Sequence, residues 1–187
     1  MKPVLSQPPH VDWLAGAFSR TPLLRKTTRL ADLPGVFADL SGWQHADPQH
    51  IVYDVEMLDT PSGSGELFTG VTHLYPGKVG NEYFMTRGHF HALREQGEVY
   101  FGLRGEGLLL LQDEQGEMRL EPVSAGSVHV IPGYTAHRLI NTGTEILSAL
   151  AVWSSTAGHD YAALAGGFAW RVVEDSQQVQ VREVQNG

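Results

Sequence analysis

Three histidines and one glutamate in this sequence have types and spacings that suit a metal site. His89 and His91 lie two residues apart, so on a β-strand both imidazoles would point to the same face. Glu98 follows His91 by seven residues, and an antiparallel return strand would bring it across from both histidines. His137 comes later in the chain. Three imidazoles and one carboxylate suit a divalent first-row metal that keeps open positions for water or substrate.

The strand that begins at Glu98 has one polar and one apolar face, and this pattern favours a functional role for the polar face. Glu98 and Tyr100 share one face of this strand, while Val99, Phe101 and Leu103 share the other. We expect the apolar face to pack against the body of the protein, which leaves the polar face for another purpose. A His-x-His pair alone is often without function, and it is the addition of Glu98 and a third histidine that favours the metal site.

The remaining histidines have plainer interpretations, except for one discussed below. His129 lies in the middle of a predicted strand and is interpreted as a packed or edge histidine. Four others stand singly, and we expect them to be surface or structural residues: His10, His45, His50 and His73.

The elements that must position these residues are short strands. From residue 51 the apolar residues alternate with period two, and Gly- and Pro-containing turns separate the runs. The chain has 21 glycines and 10 prolines, and no stretch from 51 to 153 supports a long amphipathic helix. This pattern predicts an all-β sandwich or barrel with little helix. The predicted strands are 51–57, 67–75, 98–103, 107–112, 118–123, 127–131, 137–141 and 146–153, and 30–33 is a predicted helical turn.

Three segments are predicted along the chain. Residues 1–50 form an N-terminal arm, 51–170 the barrel, and 171–187 a C-terminal strand or tail. Within the arm, Trp13, Leu14 and Phe18 are apolar anchors that suit docking on the body or on a partner subunit. Basic residues cluster at 20–29 in the middle of the arm, and we interpret them as a solvated face: Arg20, Arg25, Lys26 and Arg29.

Composition excludes several classes of protein. Cysteine is absent from the sequence, which rules out disulfides and thiol catalysis. The net charge of −8 and the lack of a Lys/Arg block argue against nucleic-acid and anionic-membrane binding. No apolar run approaches the roughly 20 residues that span a bilayer, and the opening residues have no apolar signal core. We therefore expect a cytoplasmic protein.

Two motifs resemble those of the cupin superfamily, which implies a double-stranded β-helix, a jelly-roll barrel. The first motif is Gly88-His89-Phe90-His91, then Glu98 and Gly105, and the second is Gly126, Pro132, His137 and Asn141. Six residues separate His91 from Glu98, more than in most cupins. That spacing resembles the cupin-type glucose-6-phosphate isomerases. Further segments that resemble this family are Thr86-Arg87-Gly88, Ala157-Gly158-His159-Asp160-Tyr161, Arg25-Lys26 with Leu33-Pro34-Gly35-Val36-Phe37, and Tyr53 with Val55.

The resemblance covers about residues 20–165 and implies a ligand set, a substrate and an assembly. The substrate is a phosphorylated hexose, and the protein is a homodimer in which N-terminal segments cross to the partner. The implied metal ligands are His89, His91, Glu98 and His137; the metal is commonly Fe²⁺, with Mn²⁺, Ni²⁺ or Zn²⁺ as alternatives. The implied phosphate site is Thr72, Thr86 and Gly88. The implied sugar contacts are Tyr53, Tyr100, His159 and Tyr161. One departure is Trp153-Ser154-Ser155-Thr156, where the family more often has Tyr-Pro.

The implied reaction interconverts glucose 6-phosphate and fructose 6-phosphate, a step of glycolysis and gluconeogenesis. It moves a hydrogen between C1 and C2 and needs positive charge near their oxygens, which a metal supplies. Glu98 is the candidate base, and a metal-assisted hydride shift, with Glu98 as a ligand only, is the competing mechanism. Tyr100 would hydrogen-bond a sugar hydroxyl or Glu98, and His159 would protonate the ring oxygen for ring opening.

The phosphate must bind locally, since an acidic chain repels it at long range. The hydroxyls of Thr72 and Thr86 with the N–H of Gly88 would form a neutral cradle, and a glycine lets an anion come close. On a strict strand Arg87 points away from this cradle. The sequence does not position the cations Lys78 and Arg94 relative to it.

Three alternatives remain at the level of sequence. A cupin metal-dependent dioxygenase uses the same ligand set, but needs no phosphate site. A non-enzymatic sugar-binding cupin is the second alternative, although such proteins often lose metal ligands that this chain retains. The third lies within the isomerases: mannose 6-phosphate differs from glucose 6-phosphate only at C2, so it is an alternative or additional substrate.

Overall fold

A computed structural model describes residues 5–19 and 21–184 of the chain. The ends of the predicted arm and tail (1–4 and 185–187) and Arg20 of the basic cluster lie outside the described residues. Helix is limited to α1 (Leu40–His45) and two single 3₁₀ turns, Leu30–Asp32 and Ala162–Leu164. The strands are β1 (His10–Asp12), β2 (Ala17–Ser19), β3 (Leu23–Arg29), β4 (Ile51–Leu58), β5 (Leu67–Leu74), β6 (Lys78–Val79), β7 (Glu82–Tyr83), β8 (Glu98–Arg104), β9 (Gly107–Asp113), β10 (Met118–Val123), β11 (Val128–Ile131), β12 (Thr135–Ile140), β13 (Leu147–Ser154), β14 (Trp170–Asp175) and β15 (Gln178–Glu183).

Two antiparallel sheets form the barrel. The large sheet has the strand order β11-β8-β13-β5-β4-β3, and the small sheet has the order β10-β9-β12. The chain passes back and forth between them: β8 lies in the large sheet, β9 and β10 in the small one, β11 in the large, β12 in the small and β13 in the large. These connections are those of a double-stranded β-helix. The predicted all-β jelly-roll fold with little helix is confirmed.

The eight strands predicted from residue 51 onward are all present, with boundaries that differ by one or two residues. The predicted helical turn is the 3₁₀ turn Leu30–Asp32. Several elements are additional to the predicted ones: α1, the hairpin β1-β2, the edge strand β3 and the short β6-β7. The strands β14 and β15 lie mainly in the segment 171–187, which was predicted as a strand or tail. Because β3 joins the large sheet beside β4, part of the predicted arm completes the barrel wall. The division into three segments stays a prediction.

Strand register turns one set of side chains towards the inside of the large sheet. Directly paired residues of an antiparallel sheet point to the same face. Glu98 of β8 pairs with Trp153 of β13, and Tyr100 pairs with Ala151. Ala151 in turn pairs with Gly70 of β5. The same inner face continues through three further pairs: Met57 with Gly70, Val55 with Thr72, and Lys26 with Val55. This face is one wall of the cavity described below.

The opposite, outer face of the large sheet is apolar at its β11-β8 end. Leu103 is buried as predicted, but the expectation that Val99 packs inward is wrong, since Val99 is 39% exposed. Val128 and Val130 on the neighbouring β11 are 60% and 65% exposed. Trp13 of the β1-β2 hairpin lies edge-on to Phe101 at a centroid distance of 5.6 Å. The described part of the arm therefore contacts its own barrel.

The C-terminal strands and the segment before β8 pack around the small sheet. Phe168, 2% exposed, and Met85, 1% exposed, are among the buried side chains of the core. Arg138 of β12 is buried beside both residues. Within the described residues, no helix has the length and apolar character that a membrane span needs.

Candidate active site

The four predicted metal ligands lie together inside the barrel. One donor atom from each of His89, His91, Glu98 and His137 falls within a group whose members are no more than 4.8 Å apart. Glu98 Oε2 is 3.2 Å from His91 Nε2 and 3.0 Å from His137 Nε2. His89 and His137 also pair through their main chains, with N···O distances of 3.3 and 3.1 Å. The cluster therefore joins residues from β8, β12 and the segment before β8.

Glu98 reaches the histidines by a different route from the one expected. Its backbone pairs with Ile131 of β11 and Trp153 of β13, so β8 is not a return strand for the His89–His91 segment. That segment lies instead along β12, at the opposite wall of the barrel. Glu98 approaches the imidazoles across the interior because its side chain points to the inner face.

The donor chemistry of the cluster fits a divalent metal. His91 Nδ1 lies 2.8 Å from the carbonyl oxygen of Gln96, which accepts a hydrogen bond and so assigns the ring proton to Nδ1. The lone pair on Nε2 is then turned to the cluster. His89 Nε2 and His137 Nε2 are buried and make no hydrogen bond within the described residues. Buried, unpartnered imidazole nitrogens beside a carboxylate are what a metal ion would satisfy.

Two members of the cluster, His89 and Glu98, are in the protonation state that binds a metal. Burial, reinforced by the neighbouring His137, lowers the pKa of His89 far below its ordinary value, so this imidazole is neutral. Burial would raise the pKa of Glu98, but the two imidazoles beside its Oε2, those of His137 and His91, hold its pKa below the usual value. Glu98 is thus a carboxylate at neutral pH. Neutral imidazole and ionised carboxylate are the ligand forms that bind metal.

A cavity of about 180 Å³ opens directly on the cluster. Every predicted site residue except His91 lines this cavity; His91, 4% exposed, lies behind its wall. The predicted residues in the lining are Tyr53, Thr72, Thr86, Gly88, His89, Glu98, Tyr100, His137, His159 and Tyr161. The structure therefore brings together the residues chosen for metal, phosphate and sugar, although it assigns no role to any of them.

Sequence reasoning missed eight residues of the lining. Lys26 and Arg87 are cations, and Trp153 contributes an indole ring. The other five are small or apolar: Thr28, Val55, Met57, Gly70 and Ala151. Most share the inner face with Tyr53, Thr72 or Glu98 and follow from strand register, once the pairing is known. Trp153 had been marked only as a departure from the family pattern; it packs edge-on to Phe68 at 5.9 Å.

Two cations line the cavity, and one of them, Arg87, corrects an expectation. The guanidinium of Arg87 lies over the ring of Tyr161 at 4.6 Å and lines the cavity, so its predicted outward orientation is wrong. Residues 86–88 are irregular and Gly88 has φ of +74°, which breaks strand alternation at this point. Lys26 is exposed, as its interpretation as part of a solvated face expects, and it also lines the cavity. A second cavity of about 320 Å³ shares both cations with the first.

The other two cations named from the sequence are engaged elsewhere. Lys78 pairs with Glu174, and Arg94 pairs with Asp160 at 2.5 Å. Neither lines the cavity. Positive charge at the cavity wall comes from Lys26 and Arg87 instead.

The segment 157–161 closes one side of the cavity. The ring of His159 lies 4.3 Å from that of His89 and stacks nearly parallel with that of Tyr161 at 5.8 Å. Asp160 anchors the segment: its N–H donates to the carbonyl of Phe90, and its side chain accepts from Arg94 and from the N–H of Ala163. Burial lowers the pKa of His159, so its imidazole is neutral near pH 7.

Tyr100 lines the cavity, and His129 and His73 lie outside its lining. Burial, with the nearby Glu98, raises the pKa of Tyr100 well above its usual value, so the phenol stays protonated. His129 is a packed histidine, as interpreted, and contacts Glu121 at 2.6 Å and Ser127 at 2.9 Å. His73 is part-buried and contacts Ser148.

Comparison with known proteins identifies relatives of this chain. Residues 27–186 match the family model described as glucose-6-phosphate isomerase (GPI). The chain is 44% identical over 158 residues to a glucose-6-phosphate isomerase of Pyrococcus horikoshii, with 82% of each chain covered. It is 42% identical over 164 residues to a glucose-6-phosphate isomerase of Thermococcus litoralis, with 85% of each covered. A solved structure of oxalate oxidase in complex with the substrate analogue glycolate aligns with a TM-score of 0.46 and 14% identity, covering 76% of this chain and 56% of the other.

Proposed function

The chain belongs to the glucose-6-phosphate isomerase family and is an enzyme of that activity, and we propose that the cavity at the His/Glu cluster is its active site. Membership in this family favours isomerisation over the dioxygenase and sugar-binding alternatives. The substrates are then glucose 6-phosphate and fructose 6-phosphate, with mannose 6-phosphate as a further candidate. We assign the reaction to glycolysis and gluconeogenesis in the cytoplasm.

We propose that activity depends on one divalent metal per chain, held by His89, His91, Glu98 and His137. Fe²⁺ is the first candidate, and Mn²⁺, Ni²⁺ and Zn²⁺ are the alternatives for a set of three imidazoles and one carboxylate. The unpartnered Nε2 atoms of His89 and His137 support this assignment. When bound, the metal would supply the positive charge that a developing oxyanion at C1 or C2 requires.

Glu98 is the proposed base. Its Oε2 contacts two histidines, while its Oε1 makes no hydrogen bond within the described residues. The free oxygen belongs to a residue that lines the cavity and is therefore available to substrate. In this mechanism Glu98 takes the proton from C2 of open-chain glucose 6-phosphate and returns it to C1, while a proton moves from the C2 oxygen to the C1 oxygen.

The other lining residues divide between sugar and phosphate. Tyr100, one pleat from Glu98, would donate its phenol proton to a sugar hydroxyl or to Glu98, and Tyr53 and Tyr161 would contact the sugar. His159 would assist ring opening by exchanging a proton with the ring oxygen. We assign the phosphate to Thr72, Thr86 and Gly88.

We propose that the enzyme is a homodimer. The exposed apolar end of the outer face, formed by Val99, Val128 and Val130 with Trp13 and Phe101 nearby, supports an interface there. Crossing of the N-terminal segment to a partner remains part of this proposal, and Leu14, 90% exposed beside this face, is the side chain that such a partner would cover.

The observation that carries the proposal is the pair of buried, unpartnered imidazole nitrogens at the end of a cavity lined by hydroxyl, phenol and carboxylate groups. His91→Ala tests it because this change removes one ligand without adding bulk. The expected result is loss of bound metal, measured by elemental analysis, together with loss of isomerase activity in a folded protein. His129→Ala is the matched control: it removes a buried histidine outside the cluster and should keep metal. Full activity of the metal-free His91→Ala variant would contradict the proposal.

A further inference from the structure

The segment that precedes His89 contains a β-bulge opposite Arg138. The N–H of Thr86 donates to the carbonyl of Leu139 at 2.9 Å, and the N–H of His89 donates to the carbonyl of His137 at 3.3 Å. Between these two pairs, Arg87 and Gly88 together face the single residue Arg138. Two residues opposite one, with a glycine at φ of +74°, is the arrangement of a glycine-containing bulge.

The bulge leaves hydrogen-bond donors without acceptors in residues that line the cavity. The N–H groups of Arg87 and Gly88 donate to no group among residues 5–19 and 21–184. The hydroxyl oxygen of Thr86 accepts from the N–H of Leu139 at 3.1 Å, so its own proton is left for another acceptor. Thr86, Arg87 and Gly88 all line the cavity. Adjacent free N–H groups and a hydroxyl donor suit an anion.

Arg138 holds this bulge from behind. It is 6% exposed, its Nη2 donates to the carbonyl of Arg87 at 2.6 Å, and its Nη1 lies 2.8 Å from Met85 Sδ. Its guanidinium lies over the ring of Phe168 at 4.2 Å. Within the described residues no carboxylate lies within 4.0 Å of it, and its Nε has no hydrogen-bond partner. A buried cation without a carboxylate is unfavourable unless another negative group offsets it.

The guanidinium is close to the glycine of the proposed phosphate site. A Cβ built on Gly88 would lie 3.0 Å from Arg138 Nε and 2.6 Å from Phe168 Cε2. The glycine is therefore required by the packing behind the bulge. At the level of sequence, Gly88 is explained by the close approach of an anion from the cavity. A Cβ on Gly88 would instead point away from the cavity, towards Phe168 and Arg138. Arg138 itself does not line the cavity, whereas Arg87 and Gly88, which it contacts, do.

We propose that Arg138 is a positioning residue for the substrate phosphate: it holds the Arg87–Gly88 bulge with its N–H groups towards the cavity and places a buried positive charge behind them. This inference rests on the proposed function, which puts the phosphate at Thr86 and Gly88. A chain of net charge −8 repels an anionic substrate at long range, and the positive charge of Arg138 would offset this repulsion at the phosphate site. At the short range and low dielectric of the interior, one fixed cation outweighs the screened charge of the surface.

The test uses inorganic phosphate as a competitive inhibitor of the metal-loaded enzyme. Arg138→Met removes the charge and the hydrogen bond to Arg87 while keeping an unbranched side chain. We expect the inhibition constant of phosphate to rise roughly tenfold or more, and the KM for fructose 6-phosphate to rise with it. The kcat should change much less, because the metal ligands and Glu98 are untouched. Bound metal per chain is measured in the same samples.

Two further variants keep the result decisive. Arg138→Lys retains the charge but not the planar guanidinium, and it should raise the inhibition constant by about threefold or more; it decides the question if Arg138→Met does not fold. Arg171→Lys is the control, since Arg171 pairs with Glu82 and does not line the cavity. It should leave the inhibition constant unchanged. An Arg138 variant that is folded and less heat-stable, but has a wild-type inhibition constant, would overturn the inference.

The same assay separates this inference from the proposal on which it rests. If phosphate does not compete with fructose 6-phosphate in the unmodified enzyme, the assignment of the phosphate site is wrong, and the role of Arg138 falls with it. If phosphate competes in the unmodified enzyme and equally well in both Arg138 variants, the phosphate site stands and only the role of Arg138 is wrong.

Discussion

At the scale of single residues, Glu98 combines two properties that usually conflict. Its Oε2 lies between His91 and His137, and a cation held there would weaken its basicity. Its Oε1 has no hydrogen-bond partner within the described residues, and the residue lines the cavity. Glu98 can serve both as metal ligand and as base only if Oε2 binds the metal and Oε1 accepts the proton.

Glu98→Gln separates the two tasks. The amide oxygen still ligates a metal, so bound metal should stay near one ion per chain, whereas the amide cannot accept the C2 proton. We expect kcat to fall by roughly 10²-fold or more, measured in the coupled conversion of fructose 6-phosphate to glucose 6-phosphate. Near-normal turnover with metal retained would instead support the hydride shift, in which Glu98 is only a ligand.

The site residues were predictable from the sequence to different degrees. His89, His91 and Glu98 stood out because spacing alone suggests a shared site, and the family resemblance added the phosphate and sugar residues, all of which line the cavity. Arg87 was misjudged because strand alternation was applied across a bulge. Lys26 was missed because a cation on an edge strand resembles any solvated lysine until the register is known. Arg138 carries no sequence signal of its own: its burial depends on Phe168, which comes from a distant segment.

At the scale of elements, the segment 157–161 depends on one carboxylate for its position. Asp160 joins it to Arg94 and Phe90, and so fixes His159 and Tyr161 against the cavity. We expect Asp160→Ala to lower kcat/KM by roughly tenfold or more, because small misplacements of contact residues reduce turnover strongly. Bound metal should be unaffected. Steady-state kinetics and metal analysis of the purified variant check both statements.

A control and a pH dependence accompany this prediction. Glu145→Ala breaks a similar Arg–carboxylate pair, with Arg104, on an exposed surface away from the cavity, and should leave kcat/KM unchanged.

The hydrogen bond from Arg94 holds the pKa of Asp160 below its usual value. The anchor is therefore intact at neutral pH and is lost only as the pH falls through this lowered pKa. An Asp160→Ala defect that disappears between pH 6 and pH 8 would contradict the anchoring role.

The elements themselves were predictable where one face of a strand is buried. Burial alternates cleanly in β11, where one face packs inward and the other does not, and less regularly in β4. The hairpin strand β15 is exposed along its whole length, so burial imposes no alternation on it. The strand β3 has polar residues on both faces, since its inner face meets the cavity and its outer face meets solvent. Strands of this kind are formed by pairing with a neighbour, which local sequence does not reveal.

At the scale of the whole molecule, the outer face of the large sheet predicts assembly. Val130→Lys places a charge at the centre of the exposed apolar end, where Val130 is 65% exposed. Burying an unpaired charge in an interface is unfavourable, so we expect the dimer to dissociate to monomers, measured by analytical ultracentrifugation. Val179→Lys on β15 is a matched control at an exposed valine of another sheet, and should leave the assembly unchanged. A monomeric unmodified protein would contradict the proposed homodimer directly.

The measurement that tests the central claim most directly is the conversion of fructose 6-phosphate to glucose 6-phosphate by the purified protein, before and after removal of metal with a chelator. The account predicts that activity disappears on chelation and returns when Fe²⁺, Mn²⁺, Ni²⁺ or Zn²⁺ is added back, reaching its plateau at one ion per chain. Full activity in protein shown by elemental analysis to be free of metal would contradict it, because the His/Glu cluster would then have no part in the isomerisation.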